Sequence, residues 1–280
     1  MKILRLVLGL LLIGSVPASA QLSVEVTLEQ DQFLPSESLV ATVRISNRSG
    51  RTLRLGGDPD WLTFAVQERA GSVVHKNGEA PVLGEFTLQT SEVASKRVDI
   101  APYFLLGRPG SYHVIATVRI KEWESVATSA PRKFDVIAGT KIWFQDFGVP
   151  ATDSSGPPEV RRYALLRANY LKKEVRLYFR LSDGADIKTM KVFPLGEVVS
   201  FGRPEARVDG QSRLHVLHQN GAHTSRHTVI NPDGEVVMRH LYEYVDGRPS
   251  LLIDREGKVA VAGAVRRPDA KDVPAPKEKE

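Results

Sequence analysis

Hydrophobic and polar residues alternate along most of the chain with a period of two. The alternation is clearest in residues 22–28, 39–45 and 112–120, where every second side chain is apolar. Successive side chains of a β-strand point to opposite faces of its sheet, so this pattern predicts half-buried strands. Clusters of Gly, Pro, Asn and Asp between these segments predict tight turns. Together they indicate an all-β protein built from antiparallel sheets.

Residues 21–139 are predicted to form one antiparallel β-sandwich. The segment resembles the bacterial immunoglobulin-like modules of exported proteins in two places. These are Gly110-Ser111-Tyr112, which leads from a turn into a strand, and the closing strand at residues 133–137. The resemblance implies two packed sheets. The cysteine pair of antibody domains is missing, because the chain contains no cysteine.

Residues 140–158 are predicted to connect this sandwich to a second unit. Their first part, residues 140–147, is rich in aromatic residues, and we expect an extended segment whose Trp143 and Phe144 pack on one of the two domains. Trp143 is also a candidate ligand contact. The second part is rich in Gly, Pro and Ser and predicts a loop.

Residues 159–266 contain an internal repeat. Gly202-Arg203-Pro204 recurs as Gly247-Arg248-Pro249 after 45 residues, and Asp209 corresponds to Asp254 at the same interval. A period of this length is typical of the four-stranded blades of β-propellers. A closed propeller needs about four blades or more, so we expect an incomplete, propeller-like array. It would stay open, pack on the first domain, or close by oligomerising.

The repeat unit resembles the blades of exported sialidase-like propellers, the BNR-type repeat, in Leu214-His215-Val216. Residues 163–173 contain several Ala, Leu and Lys residues, which leaves a helix open as an alternative there. Residues 267–280 are mostly Pro, Lys, Glu and Asp, a composition that predicts a disordered tail.

The first 20 residues have the pattern of a secretory signal peptide. Lys2 and Arg5 precede a short apolar run at residues 6–13, and Ala18-Ser19-Ala20 is a small-residue cleavage site. We therefore expect a mature chain that begins at Gln21 and is exported to the periplasm or the extracellular space. No later apolar run is long enough to predict a transmembrane segment. The oligomeric state is left open.

The net charge argues against nucleic acid as a partner. The whole chain carries a formal charge of +5, and loss of Lys2 and Arg5 with the signal peptide reduces it to +3. A charge this small and dispersed is not the footprint of a nucleic-acid-binding protein.

Four of the seven histidines lie between residues 215 and 227. A two-residue turn at Asn220-Gly221 would place His218 opposite His223, with His227 on the same face. Two opposed imidazoles are close enough to share a zinc ion, so His218 and His223 are candidate metal ligands. No Asp, Glu or Cys in the hairpin adds a further ligand, so polar packing is the favoured interpretation. His218, His223 and His227, with Trp143, form a candidate ligand surface.

No catalytic motif stands out in the sequence. It contains no Gly-x-Ser-x-Gly, His-Glu-x-x-His or phosphate-binding loop. We therefore expect no cofactor and favour a non-enzymatic binding protein of the cell envelope, with a glycan or an envelope protein as its partner. Two alternatives stay open. One is a glycan-active hydrolase or lyase that uses carboxylates with a histidine, and the other is a structural subunit that completes a β-sheet with another chain.

Overall fold

The chain is almost entirely β-strand. The computed structural model describes residues 22–149, 159–199, 201–245 and 247–273. Within these ranges it has no α-helix and two short 3-10 helices, Ala101–Tyr103 and Lys121–Trp123. The predicted all-β class is confirmed. No helix in the described ranges is long and apolar enough to cross a membrane.

Ten strands form the N-terminal sandwich. They are β1 (Leu22–Leu28), β2 (Gln32–Phe33), β3 (Val40–Asn47), β4 (Leu53–Leu55), β5 (Leu62–Glu68), β6 (Phe86–Leu88), β7 (Val93–Asp99), β8 (Gly110–Ile120), β9 (Ser125–Thr128) and β10 (Arg132–Val136). One sheet has the order β1-β3-β7, and the other has the order β2-β10-β8-β5 with β9 beside β8. Strands β4 and β6 pair separately. The pairing of β10 with β2 is parallel, and the other neighbours are antiparallel.

The predicted alternation supplies the core of this domain. Ala41, Val43 and Ile45 on β3 have no exposed surface, and the intervening residues face outward. Trp61 is buried as well, and its indole N–H donates to the carbonyl of Val82 at 2.8 Å. That bond satisfies the one polar group of a large buried ring, so the tryptophan is a structural residue.

Eleven strands form the C-terminal domain. They are β11 (Thr140–Val149), β12 (Glu159–Tyr170), β13 (Glu174–Asp183), β14 (Thr189–Glu197), β15 (Glu205–Val208), β16 (Leu214–Gln219), β17 (Thr224–Ile230), β18 (Val236–Tyr244), β19 (Ser250–Ile253), β20 (Val259–Ala262) and β21 (Ala264–Arg267). β11 to β14 form one antiparallel meander. β15 to β18 form a second meander, which β21 extends to five strands.

The two meanders pack face to face. Phe179 and Leu181 of the first sheet share one buried core with Val216 and Ile230 of the second. Each of these side chains is at most 1% exposed. Burial of one such side chain stabilises the fold by about 1.5–3 kcal/mol. The shared core is therefore the main attachment between the two sheets.

The β19–β20 hairpin covers part of the opposite face of the second sheet. Leu251 and Val259 from the hairpin contact Leu217 of β16. The backbone N–H of Leu251 also donates to the carboxylate of Glu205 at 2.8 Å. Both faces of the β16 strand are buried as a result.

The N-terminal domain contacts the outer face of the first meander. Leu34 and Ile137 pack with Tyr178 in a separate apolar cluster. The backbone N–H of Asp31 donates to the hydroxyl of Tyr170 at 3.3 Å. The first meander is therefore covered on both faces, by the second meander and by the first domain.

The two Gly-Arg-Pro segments lead into similar turns, although their glycines differ, because Gly247 has a φ of 149° and Gly202 has no positive φ. Each segment precedes a short strand, β15 or β19, and a turn that begins at Asp209 or Asp254 follows the strand directly. In both turns the aspartate Oδ1 accepts the backbone N–H groups found two and four residues later. The residue three positions after the aspartate has a positive φ in each, 59° at Ser212 and 78° at Gly257.

Three expectations on the chain's course can be compared with the structure. Residues 163–170 belong to strand β12, so the helix alternative is wrong there. Residues 140–149 form strand β11, as expected of an extended segment. The tail was predicted to be disordered, but its first part, residues 267–273, lies beside the second meander. Val273 forms an antiparallel β-bridge with Arg239 of β18. The predicted signal peptide, the rest of the predicted linker and the end of the predicted tail fall outside the described residues.

Candidate functional site

The hairpin of β16 and β17 determines which polar side chains meet. Its two strands are joined by a three-residue loop, residues 221–223, which is closed by a hydrogen bond from the N–H of Asn220 to the carbonyl of Thr224 at 3.1 Å. In this register His218 lies directly opposite Arg226.

The predicted pairing of His218 with His223 is therefore wrong. The observed register pairs Leu214 with Ile230, and both are buried in the core between the sheets. The predicted register would have placed His227 opposite Leu214. Because side chains alternate with a period of two, a shift by an odd number turns every residue of β17 to the other face. The register that buries Ile230 in the core prevails.

A cavity of about 420 Å³ is lined by residues of both sheets of the C-terminal domain. The lining residues of the first sheet are Arg176, Pro194, Leu195, Gly196 and Glu197. Those of the second sheet and the segment after it are His218, Asn220, Arg226, Arg239 and Lys271. Four side chains of the lining are cationic and one is a carboxylate.

Three of these side chains lie next to one another on adjacent strands. His218 is opposite Arg226, while Arg239 is opposite Thr228, two positions further along β17 on the same face. This is the face that carries the buried core residues Val216 and Ile230. We call His218, Arg226 and Arg239 the basic row. They occupy strand positions where the alternating pattern predicts apolar side chains.

Several polar atoms of this row have no hydrogen-bond partner. They are Nη1 of Arg226, Nε of Arg239 and both ring nitrogens of His218. His218 is 1% exposed, and the side chain of Arg226 is 9% exposed. A buried polar group without a partner costs about 1–3 kcal/mol, and charged groups cost more.

The positive charge of the cavity is only partly compensated. Arg226 Nη2 pairs with Asp269 at 2.7 Å, and Arg176 pairs with Glu174. Arg239 and Lys271 have no ion-pair partner among the described residues. Burial and the nearby charge of Arg226 lower the pKa of the Arg239 guanidinium. Uncompensated cations of this kind favour an anion in the cavity.

The same electrostatics keep His218 neutral. Burial lowers the pKa of His218 to about 3, and the charges of Arg226 and Arg239 act in the same direction. A neutral imidazole carries one N–H donor and one acceptor nitrogen. His218 can therefore offer the cavity either a donor or an acceptor.

The opposite face of the second sheet holds a chain of three buried groups. Nε2 of His215 lies 3.0 Å from Oδ2 of Asp209, and Nδ1 of His215 lies 3.1 Å from Nε2 of His227. Arg213 also donates to Oδ2 of Asp209, at 2.7 Å. His215 is 5% exposed and His227 is 2% exposed.

This chain has one consistent proton arrangement. Burial would raise the pKa of Asp209, but hydrogen bonds from His215 and Arg213 outweigh it and lower the pKa. An ionised Asp209 only accepts, so His215 donates from Nε2 and accepts at Nδ1 from His227. The remaining nitrogen of His227, Nδ1, is then a buried acceptor without a partner.

An aspartate that orients a histidine supplies two of the three members of a hydrolytic triad. The group at the position of the nucleophile is His227, an imidazole, and not a hydroxyl. Across the described ranges, no group of three or more His, Cys, Asp or Glu side chains is arranged to hold a metal ion. The geometry fits a buried polar network that joins β15, β16 and β17.

The structure does not bring the predicted site residues together at one site. His218 lines the cavity, whereas His227 belongs to the network on the other face. His223 is exposed in the hairpin loop, with its ring 6.3 Å from that of Tyr244. Trp143 is half-buried and packs against the core between the sheets.

Arg226, Arg239 and Lys271 were missed by the sequence reasoning. A signal for two of them exists in the sequence, because Arg226 and Arg239 occupy inward positions of the alternating strands β17 and β18. Arginine at such positions is unusual unless it is paired or functional. Lys271 carries no comparable signal, since it follows the last strand.

Comparison with known proteins identifies no family. No family model matches the sequence, and no curated protein matches it. Among solved structures, the chain is similar to the crystal structure of Spo0M, a sporulation control protein from Bacillus subtilis. That match has 11% sequence identity and a TM-score of 0.32, and it covers 63% of this chain and 91% of the other. A likeness of this size carries no argument about function.

The buried histidines predict a loss of stability in acid. The pKa of His227 is lowered to about 3 by burial, against 6.5 for an unperturbed histidine. Above pH ~6.5 its contribution to stability is complete. As the pH falls from there towards about 3, the unfolded chain binds a proton that the folded chain excludes. The free energy of unfolding then falls by about 1.4 kcal/mol per pH unit for each such histidine.

Between pH ~4 and ~6.5, we expect His227→Gln to reduce the slope of the unfolding free energy against pH. The reduction should correspond to about one proton fewer taken up on unfolding. Glutamine does not titrate, and its amide can still donate to His215. Urea unfolding at a series of pH values measures this slope, and His223→Gln, at an exposed position, is the matched control. An unchanged slope in His227→Gln would contradict the assignment of a buried neutral imidazole.

Proposed function

We propose that this protein is an exported, non-enzymatic binding protein whose basic cavity holds an acidic group of a glycan or an envelope protein. The observation that carries the proposal is the pair of unpaired cations, Arg239 and Lys271, beside the unpartnered donors of Arg226 and His218. Native proteins rarely bury charged donors without acceptors. An anionic partner supplies the acceptors that the chain itself does not.

The build of the protein is consistent with this role. The cavity is lined from two sheets that a shared apolar core holds together, so its donors are fixed before a ligand arrives. A preorganised site loses little conformational freedom on binding. The N-terminal sandwich covers the far face of the first sheet and leaves the cavity lining free of its residues.

The finer architecture is part of the proposal. We take the N-terminal sandwich as an immunoglobulin-like module and the two meanders as propeller-blade-like repeats. The matching turns at Asp209 and Asp254 have the same hydrogen bonds at the same positions, and they support a repeat that relates β15 and β16 of the second meander to the β19–β20 hairpin. The two meanders meet face to face across a core, as neighbouring blades do.

A glycan-active hydrolase or lyase is the second candidate, and one observation favours it. Asp209 orients His215 as a carboxylate orients a general base. Both side chains are buried, so the surrounding structure would have to open for a substrate to reach them. Cleavage of a glycan by the protein, lost in His215→Gln, would favour this candidate over the binding role.

Export is proposed from the signal-peptide pattern of residues 1–20. When the whole chain is expressed in a bacterial host, we expect the protein in the periplasmic or extracellular fraction with Gln21 at its N-terminus. N-terminal sequencing of the purified protein checks this directly. Recovery of the protein only from the cytoplasm, with residues 1–20 still attached, would count against export.

The binding role is tested by retention on a sulfated polysaccharide column, with the neutral parent polysaccharide as the reference matrix. We expect retention on the sulfated matrix that weakens as salt rises, because ion pairs at an open site are screened. The double variant Arg239→Gln/Lys271→Gln should elute at distinctly lower salt than the unmodified protein.

The matched control removes the same charge elsewhere. Arg119 and Lys121 are exposed on the N-terminal domain, paired with Asp60 and Asp58. Arg119→Gln/Lys121→Gln should leave the elution almost unchanged. Equal shifts in the two double variants would show that retention depends on net charge alone, and the cavity would then have no role.

A further inference from the structure

The basic row of the cavity departs from the alternation of its strands, because it places basic side chains at positions where apolar side chains are expected. His218 follows Leu214 and Val216 at alternate positions of β16, and Arg226 precedes Ile230 on β17. The apolar members of this face are buried in the core between the sheets. The basic members continue the same face to the wall of the cavity, where their unpartnered nitrogen atoms are buried.

The row is unfavourable when the cavity holds no anion. Like charges on neighbouring strands repel, and Arg226 and Arg239 lie diagonally on adjacent strands. Asp269 accepts one hydrogen bond from Arg226, which leaves Nη1 of the same guanidinium unpartnered. Such strain is typical of functional sites, where a ligand relieves it.

The donors outnumber the oxygens of a carboxylate ligand. Arg226 and Arg239 each have at least one N–H group without a hydrogen-bond partner, and His218 can supply another. Lys271 adds an ammonium group from the segment after the last strand. A planar carboxylate has two oxygens, whereas a tetrahedral oxyanion has up to four and accepts donors from several directions.

The single carboxylate of the lining further restricts which anions the cavity can bind. Glu197 has no ion-pair partner among the described residues, although it lines the same cavity as four cations. An ionised carboxylate weakens the binding of a sulfate group, because sulfate has no proton to donate at neutral pH. It can accept a hydrogen bond from the O–H of a hydrogen phosphate or of a sugar hydroxyl beside a phosphate ester.

We infer that the cavity is a phosphate-binding site in which Arg226, Arg239 and Lys271 bind the phosphate oxygens. His218 donates a further hydrogen bond, and Glu197 selects a protonated phosphate or a hydroxylated phosphate ester over sulfate. This inference rests on the proposed binding function and specifies its ligand. The source of the phosphate is either the free ion or a phosphorylated sugar.

Calorimetric titration of the purified protein tests the inference, with inorganic phosphate, sodium sulfate and sodium acetate as the ligands. All titrations are made at neutral pH, with chloride added to give the same ionic strength. We expect saturable binding of phosphate, weaker binding of sulfate, and no saturable signal with acetate. Glucose 6-phosphate distinguishes the source, because tighter binding than that of inorganic phosphate identifies a phosphate ester as the ligand. Equal or weaker binding identifies the free ion.

Variants assign the binding to the cavity. Arg239→Met should weaken phosphate binding by about tenfold or more, the effect of one hydrogen bond to a charged group. It should also raise the thermal unfolding temperature of the ligand-free protein, because it removes a cation that has no partner. Arg119→Met, on the N-terminal domain, should change neither quantity.

Lys271→Met keeps the test independent of folding, since this exposed residue lies beyond the last strand. It should also weaken phosphate binding. Absence of saturable phosphate binding, or unchanged affinity in folded Arg239→Met and Lys271→Met, would overturn the inference. If retention on the sulfated matrix persisted in that case, the binding role would stand and only its ligand would be wrong. Loss of both would remove the proposed function as well.

Discussion

The register between β16 and β17 determines the chemistry of the C-terminal domain. Pairing Leu214 with Ile230 directs those side chains into the core, and the same pairing sets His218 beside Arg226 on that face. His215 and His227 then fall on the opposite face, within hydrogen-bond distance of each other. One strand pairing thus separates a basic cavity from a buried histidine network.

The two polar clusters have different physical roles. The Asp209 network is nearly complete, because a carboxylate, an arginine and two imidazoles satisfy one another and leave a single unpartnered nitrogen. The basic row leaves several donors open and carries uncompensated charge. A satisfied network stabilises a fold, whereas open donors around a cavity lower stability and favour a ligand. We therefore propose the cavity, and not the histidine network, as the site of binding.

Much of the fold could be predicted from the sequence. The alternation in residues 39–45 and 112–120 identified buried strands, and the Gly-Arg-Pro repeat identified two similar turns. The histidine pairing was wrong because an Asn-Gly pair favours a two-residue turn, whereas this hairpin uses a three-residue loop. The cavity was missed because its residues come from different strands and are brought together only by the packing of two sheets. The ordered start of the tail was missed because Asp269 pairs with an arginine on β17.

The most direct test of this account is a disulfide-trapping measurement of the register, which the cysteine-free chain makes clean. Gln219 lies opposite Ser225 in the observed pairing, at a separation that suits a disulfide. We expect Gln219→Cys/Ser225→Cys to oxidise readily and completely within the monomer. Leu217→Cys/Thr224→Cys, matched to the alternative register, should retain free thiols, because Leu217 lies opposite His227 in the observed pairing. Rapid oxidation of the second pair and free thiols in the first would place His218 and Arg226 on different faces and contradict the account.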